Sequence, residues 1–542
     1  VSAAGHFRLA SRLSPFWRLV VVTLLGFASG LPLALSGQAL QAWLTVEGLD
    51  LATIGFLSLV GLPYTFKFLW APLLDRFELP GTVRLLGRRR GWMVASQLAV
   101  AGVLLLLANT SPKASLQAFA LLAVALAFLS ATQDVVVDAY RTELLPVAER
   151  GLGASLTVMG YRLAMILSGG IALIWTDANQ GGGWSWPEVY RLMALLMLAA
   201  ALATVLLLPR LPSVAAPAST ARHDLLGFVA VIGAVVLGYV VTDRFGTDVA
   251  RLLLGPWLDT TDLPQTLKTR WLNLVALLLG IAFTLPLAAW AAKKARFETL
   301  LSGLANYFAQ PAAAWFLVFI VLYKLGDAFA ASLLTPFLLK GMAYTAAEVG
   351  VVNKVLGLWL SIGGALLGGL LMLKLGLWRS LLVFGIFQAV SNLGFWWLAS
   401  TGKGTLPGLV LPAFDWGFVE LKAATPVDGG LLAAVAFENI TGGMGTAAFL
   451  AFLMSLTQQR FTATQFALLS AFSSVGRVWV GPLAGVLAET IGWPSFFIVS
   501  TVLALPALAM LVWQRQRILA LQSAPGAGAE AAADQPARAS SA

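Results

Sequence analysis

Four carboxylates, Asp134, Asp138, Asp327 and Glu438, stand inside long apolar stretches of this sequence. A charge near the centre of a bilayer costs at least ~2.5 kcal/mol on insertion scales, so each must face a polar interior or meet a cation. Carboxylates so placed can bind and release protons, and they are the proton-coupling candidates. Lys67, Arg162, Lys324, Lys354 and Arg477 are the cations in comparable stretches, with Gln133, Tyr161 and Asn439 as neutral hydrogen-bonding neighbours. These eight are the candidates for a substrate-facing cavity. Asp134 and Asp138 are four apart and share a helix face. Lys67 lies at a similar expected depth, so a Lys67–Asp134 pair is expected, as a titrating site or as a static ion pair. Asp138 and Arg141, three apart at a membrane edge, suit a gate or simple packing. Lys324, Asp327, Lys354 and Glu438 are expected to form two compensating pairs, for coupling or for structure alone. Arg162 and Arg477 sit near the centres of their stretches, where a guanidinium can grip a carboxylate bidentately or hold an internal partner. The chain has no cysteine, and its two histidines, His6 and His223, fall outside the apolar stretches. No phosphate-binding loop or nucleophile elbow is present. Neither a metal, a cofactor nor an enzymatic activity is expected.

The elements that must hold these residues follow from composition. Of 542 residues, 59% are hydrophobic and 11% charged, and the mean hydropathy is +0.84. A soluble globular chain carries about 25% charged residues, so soluble, disordered and disulfide-rich classes are excluded. An all-α polytopic membrane protein remains, because the apolar runs are continuous rather than alternating. Fourteen spans are predicted, near 18–43, 51–73, 91–109, 116–139, 151–175, 187–208, 225–243, 271–292, 311–336, 348–373, 379–399, 430–456, 464–488 and 494–513. With this count, 21 of the 35 Lys and Arg fall on the side of the N-terminus and 8 on the other. That bias places both termini in the cytoplasm. The net charge of +10 is therefore a topology signal and gives no reason to expect nucleic acid. The first apolar run continues into a full span, so no cleavable signal is expected.

The chain also repeats. Ile54-Gly55-Phe56 and Val349-Gly350-Val351 open the second and tenth spans, and Gly160-Tyr161-Arg162 and Gly476-Arg477 mark the fifth and thirteenth. Two six-helix halves are expected, at 1–210 and 309–515. Between them, 211–308 reads as a linker with two inserted, lipid-facing transmembrane helices, an outer loop at 244–270 and a cytoplasmic amphipathic segment. The tail at 516–542 reads as disordered and cytoplasmic. Six plus six is the build of a major facilitator fold. Leu74-Asp75-Arg76 followed by Gly87-Arg88-Arg89-Arg90 resembles the facilitator loop signature, with a longer gap and Ala71-Pro72 in place of its first Gly. Asp75, Arg76, Arg88 and Arg141 are accordingly the candidates for a cytoplasmic gate. Gly26 to Pro32 and Gly442-Gly443-Met444-Gly445 allow either helix breaks beside a cavity or close packing. Trp70, Trp92, Trp184, Trp186 and Trp493 are expected in the interfacial belts.

Longer motifs sharpen this reading. Gly26-Phe27-Ala28-Ser29-Gly30-Leu31-Pro32, Phe66-Lys67-Phe68-Leu69-Trp70, Gln133-Asp134, Leu322-Tyr323-Lys324-Leu325-Gly326-Asp327, Asn353-Lys354, Glu438-Asn439 and Ala463-Thr464-Gln465-Phe466 resemble the AmpG family of muropeptide permeases. The resemblance runs over roughly 18–210 and 311–513. It implies a proton-coupled importer of anhydro-muropeptides, N-acetylglucosamine linked to 1,6-anhydro-N-acetylmuramic acid with or without a stem peptide. It further implies peptidoglycan recycling, a link to β-lactamase induction and β-lactam resistance, and a Gram-negative inner membrane. The partners are then the muropeptide, protons and the lipid bilayer, and a monomer is expected. Another peptide, a glycoconjugate or an acyl-CoA as substrate, or a nutrient-sensing pseudo-transporter, are the alternatives.

Overall fold

The computed structural model describes residues 14–48, 58–79, 86–176, 183–211, 220–260, 264–310, 312–334, 337–345, 348–349, 352, 356–415, 420–421, 424–458 and 461–523. Those residues are overwhelmingly helical, as an apolar medium demands: in lipid each backbone N–H and C=O must be satisfied within its own segment. The helices in chain order are α1 (Pro15–Leu35), α2 (Gln38–Val46), α3 (Leu62–Phe66), α4 (Ala71–Arg76), α5 (Gly87–Ala108), α6 (Leu116–Leu144), α7 (Arg150–Met165), α8 (Ala172–Thr176) and α9 (Trp186–Leu207). There follow α10 (Ala221–Asp259), α11 (Gln265–Lys294), α12 (Glu298–Phe308), α13 (Ala313–Ser332), α14 (Gly357–Thr401), α15 (Gly429–Ser455), α16 (Thr462–Val502), α17 (Leu505–Trp513) and α18 (Arg515–Ser523). Ten described helices are long and apolar enough to cross a bilayer.

Several boundaries differ from the sequence expectation, each for a local reason. The expected first span stops at Leu35, and a turn at 36–37 separates it from α2. The second span is no single helix over its described part. Pro63 and Pro72 stand in the first turns of α3 and α4, with 3₁₀ turns at Ser58–Gly61 and Lys67–Leu69 between the pieces. Proline lacks an N–H and fits the first turn of a helix, where no N–H is needed. The expected tenth and eleventh spans run together as α14, and the thirteenth and fourteenth merge within α16. The chain turns inside them at Gly376 (φ 73°) and Gly492 (φ 74°), a conformation that favours glycine. The expected outer loop at 244–270 is helical over 244–259 and 265–270, so α10 extends for 39 residues. At 1.5 Å per residue that is about 58 Å, well beyond the ~30 Å hydrocarbon core. The start of the expected disordered tail is helix α18, and 524–542 lie outside the described residues. The segment after α14 carries two short antiparallel ladders, Leu409–Leu411 with Thr425–Val427 and Phe414–Asp415 with Glu420–Leu421.

Glycine sets how closely the central helices approach. A Cβ on Gly160 of α7 would lie 2.2 Å from the Thr23 carbonyl of α1, and one on Gly30 would lie 2.4 Å from that of Tyr161. The same device joins α14 to α15, where Gly364 abuts Ile440 and Gly443 abuts Ser361. Without water to drive association, such backbone contact is what holds membrane helices together. Helix α7 also packs on α14, with Gly369 against Ser155 and Gly151 against Met372, and so joins the earlier helices to the later ones. Trp70 and Trp186, expected as interfacial anchors, are buried instead. Trp70 donates to Thr132 Oγ1 at 3.0 Å, and Trp186 stacks on the buried Trp43.

Candidate functional site

Helix α6 carries Gln133, Asp134, Asp138 and Arg141 at steps of one, four and three residues, which lines up the last three along one face. Ser29 of α1 donates its hydroxyl to Asp134 Oδ1. Gln133 Nε2 donates to the Ala28 carbonyl at 2.8 Å. Lys67 therefore does not form its closest contact with Asp134, as the spacing suggested. Its Nζ lies 3.5 Å from Asp138 Oδ2, while Arg141 Nη2 stands 2.8 Å from Asp138 Oδ1. Ser29 has taken the position beside Asp134, and the lysine is anchored one helical turn further along. Asp134 still feels the charge of Lys67, Asp138 and Arg141. Tyr64 and Tyr161 stand within the same electrostatic neighbourhood.

The second cluster is built by α13, α14 and α15. Lys324 Nζ lies 4.0 Å from Asp327 Oδ2, donates to Thr446 Oγ1 at 3.3 Å and stands 5.6 Å from the Phe449 ring centroid. Asn439 Nδ2 donates to Glu438 Oε2 at 2.8 Å, and Ser361 Oγ donates to Asn439 Oδ1 at 2.7 Å. Glu438 is thus held by its neighbour's amide and lies in the fields of Asp327, Arg162 and Lys324. Of the two compensating pairs expected here, Lys324 with Asp327 is present, and the partner expected for Glu438, Lys354, lies outside the described residues. Arg162 comes from α7 and Glu438 from α15, two helices that pack against each other. Lys354 and the side chain of Arg477 lie outside the described residues. Among the described residues, no group of His, Asp and Glu is arranged to hold a metal ion.

A third cluster closes the arginine-rich end. Asp75, fully buried at the end of α4, accepts from Arg89 Nη2 at 2.8 Å, from the Thr464 N–H at 2.8 Å and from the Thr464 hydroxyl at 2.6 Å. Thr464 lies in the first turn of α16, where free N–H groups and the helix dipole favour an anion. Arg89 also holds Glu143, 2.7 Å away. Arg88, expected at the gate, reaches only the Asp75 main-chain carbonyl, at 2.8 Å, and its neighbour Arg89 makes the carboxylate contact. Arg76 points away to Asp224 at 3.6 Å. Arg141 lies 5.2 Å from the centroid of the Phe466 ring of α16.

Sequence reasoning gave no site role to Ser29, Thr446, Arg89, Glu143, Thr464 and Asp224. Ser29, Arg89 and Thr464 stand in motifs that the sequence shows, but no spacing rule names the partners of these residues, which come from distant helices.

Residues 22–421 match the family model described as Major Facilitator Superfamily. The chain is 41% identical to the anhydromuropeptide permease of Escherichia coli K12, covering 92% of this chain and 80% of that protein. It is 32% identical to an uncharacterised protein of Haemophilus influenzae, covering 92% and 94%. It is 25% identical to a putative transporter AmpG 4 of Rickettsia conorii, covering 93% and 97%. Among solved structures, it superposes on FucP, a Major Facilitator Superfamily transporter in the outward conformation, with a TM-score of 0.55 at 11% identity over 92% and 98% of the two chains. The human organic anion transporter MFSD10 gives 0.52 at 14% identity, over 92% and 100%.

Proposed function

Since the chain belongs to the Major Facilitator Superfamily and within it to the AmpG family of permeases, we propose that it imports anhydro-muropeptides by proton symport through alternating access. It is a multi-pass membrane transporter and no enzyme. The observation that carries the substrate is the 41% identity over nearly the whole chain to the anhydromuropeptide permease. The site's chemistry agrees. Such a substrate offers sugar hydroxyls and amides, and carboxylates when a stem peptide is present. Arg162, Lys324, Asn439, Gln133 and Tyr161 supply the complementary donors.

Proton coupling needs carboxylates whose protonation is linked to the contact between the two segments. Asp134 and Asp138 in the first cluster, and Asp327 and Glu438 in the second, fill that role. When Glu438 is charged it attracts Arg162 across the junction; protonation releases that arginine to a substrate carboxylate. At the arginine-rich end the Asp75–Thr464 contact closes the path, and with Arg76, Arg88 and Arg141 it forms the cytoplasmic gate. The distribution of Lys and Arg supports placing that end and both termini in the cytoplasm. The membrane is then a Gram-negative inner membrane, import is from the periplasm for peptidoglycan recycling, and the working unit is a monomer. Protons are the coupling ion and no cofactor takes part.

The test is uptake of labelled anhydro-muropeptide into proteoliposomes. Accumulation should require an imposed proton gradient and collapse with an uncoupler. Equal uptake with and without the gradient would overturn the coupling, and failure to bind the anhydro-disaccharide would overturn the substrate.

A further inference from the structure

Asp224 lies in the first turn of α10, the first of the two inserted helices, and is fully buried. The rest of that pair is largely exposed: 22% and 19% of their span residues are buried. A buried carboxylate is costly unless it is paired and hydrogen-bonded, and this one is both. Its Oδ1 accepts the Thr299 N–H at 3.0 Å, its Oδ2 accepts the Thr299 hydroxyl at 2.6 Å, and Arg76 Nε stands 3.6 Å from Oδ2. Thr299 lies in the first turn of α12, so Asp224 meets that helix as Asp75 meets α16. The adjacent residues Asp75 and Arg76 thus reach two different elements, one the second six-span segment and the other the inserted pair.

Helix α12 in turn lies over the gate. Gln465, next to Thr464, donates Nε2 to the Gly303 carbonyl at 3.2 Å. A Cβ on Gly303 would lie 3.2 Å from Thr464 Cγ2. Gly227, one turn after Asp224, leaves room for Phe297 just before α12.

We propose that Asp224 is a positioning residue of the transport cycle. Through Arg76 and Thr299 it holds α12 across the Asp75–Thr464 contact. The inserted helices thereby favour the state closed at this end, and opening requires Gly303 to part from Gln465 as Asp75 parts from Thr464. This rests on the alternating-access reading above.

The chain has no cysteine, so one introduced thiol reports alone. Ser155 is fully buried where α7 meets Gly369 of α14, and Ser155→Cys is shielded while the two segments meet there. The readout is its alkylation by a membrane-impermeant maleimide in inside-out vesicles, with no substrate present. Asp224→Asn should speed labelling about tenfold by shifting the two-state balance, and Asp224→Glu should stay near the parent rate. Arg76→Gln combined with Asp224→Asn should label no faster than Asp224→Asn alone, since both break one contact. Equal rates in parent and Asp224→Asn, or effects that multiply in the double variant, would overturn the proposal. If Asp224→Asn does not reach the membrane, Thr299→Val carries the same comparison, with faster labelling expected and an unchanged rate overturning it. Uptake by the parent protein tests the transport reading separately, because the labelling needs no muropeptide.

Discussion

Thr464 donates both its backbone N–H, at 2.8 Å, and its hydroxyl, at 2.6 Å, to Oδ2 of Asp75, a residue 389 positions earlier in the chain. Because Asp75 also holds Arg89, removing the carboxylate leaves that buried guanidinium with Glu143 alone and deprives the first turn of α16 of its acceptor at once.

Asp75→Ala should therefore lower the stability of this closed state by roughly 3–5 kcal/mol, the range for breaking a buried pair from one side. The melting temperature of purified protein in detergent should fall, and Ser155→Cys should label faster in that background. Arg88→Gln should change both much less, since Arg88 touches only the Asp75 main chain. Equal losses in the two variants would contradict this division of labour.

Asp134→Asn keeps the size of the side chain and a partner for Ser29 but cannot ionise. Accumulation driven by a pH gradient should drop at least about tenfold, while exchange of substrate across equal gradients persists, since only the coupled step needs the proton. Asp327→Asn should behave likewise. Uncoupler-sensitive uptake at the parent rate in both variants would remove these residues from the coupling path.

Glu438→Gln mimics the protonated acid and should leave KM for a substrate bearing a stem-peptide carboxylate unchanged or lower it, while the maximal gradient-driven rate falls. In this variant residue 438 no longer competes with the substrate for Arg162. Arg162→Gln should chiefly raise KM, about tenfold for loss of a charge-assisted contact. The comparison is made with initial rates of labelled muropeptide uptake in proteoliposomes.

Gly160→Ala should be strongly destabilising, because its new methyl would meet the Thr23 backbone at 2.2 Å. Gly102→Ala on α5 meets nothing within 4 Å and should be neutral or slightly stabilising, since Ala exceeds Gly by about 1 kcal/mol in helix propensity. Detergent melting curves of the two variants decide it.

Asp428 caps the N-terminus of α15. Burial pushes its carboxyl up, but the N–H groups of Leu431 and Gly404 and the Tyr344 hydroxyl outweigh this and hold it below the usual carboxylate range. A carboxyl lowered by folding stabilises above its unfolded value, near pH 4, and that contribution fades as pH falls through the lower folded value. Asp428→Ala should cost about 1 kcal/mol at neutral pH. The gap between variant and parent melting temperatures should narrow only on strong acidification; a gap independent of pH would refute the capping charge.

The helices of this protein were legible without coordinates because the bilayer leaves the backbone little choice. A run such as 116–139 must satisfy its own hydrogen bonds, so its apolar length alone announces α6. The motifs that place the chain in its family were legible too, as were the inward charges, each marked by the cost of burying it. Partner choice was not legible. Lys67 can reach either Asp134 or Asp138 by spacing, and only the approach of Ser29 on α1 decides between them. Arg88 and Arg89 are equivalent in sequence, but the turn of α5 at the end of the loop presents Arg89 to Asp75 and Glu143. The inserted pair reads as lipid-facing from its composition, and along most of its length it is exposed. Its buried carboxylate Asp224 gains meaning only where Arg76 and Thr299, from elements 148 residues before it and 75 after it, converge on it. Hydrophobic runs are local properties of a chain, whereas ion pairs and helix caps belong to the surfaces where distant segments meet.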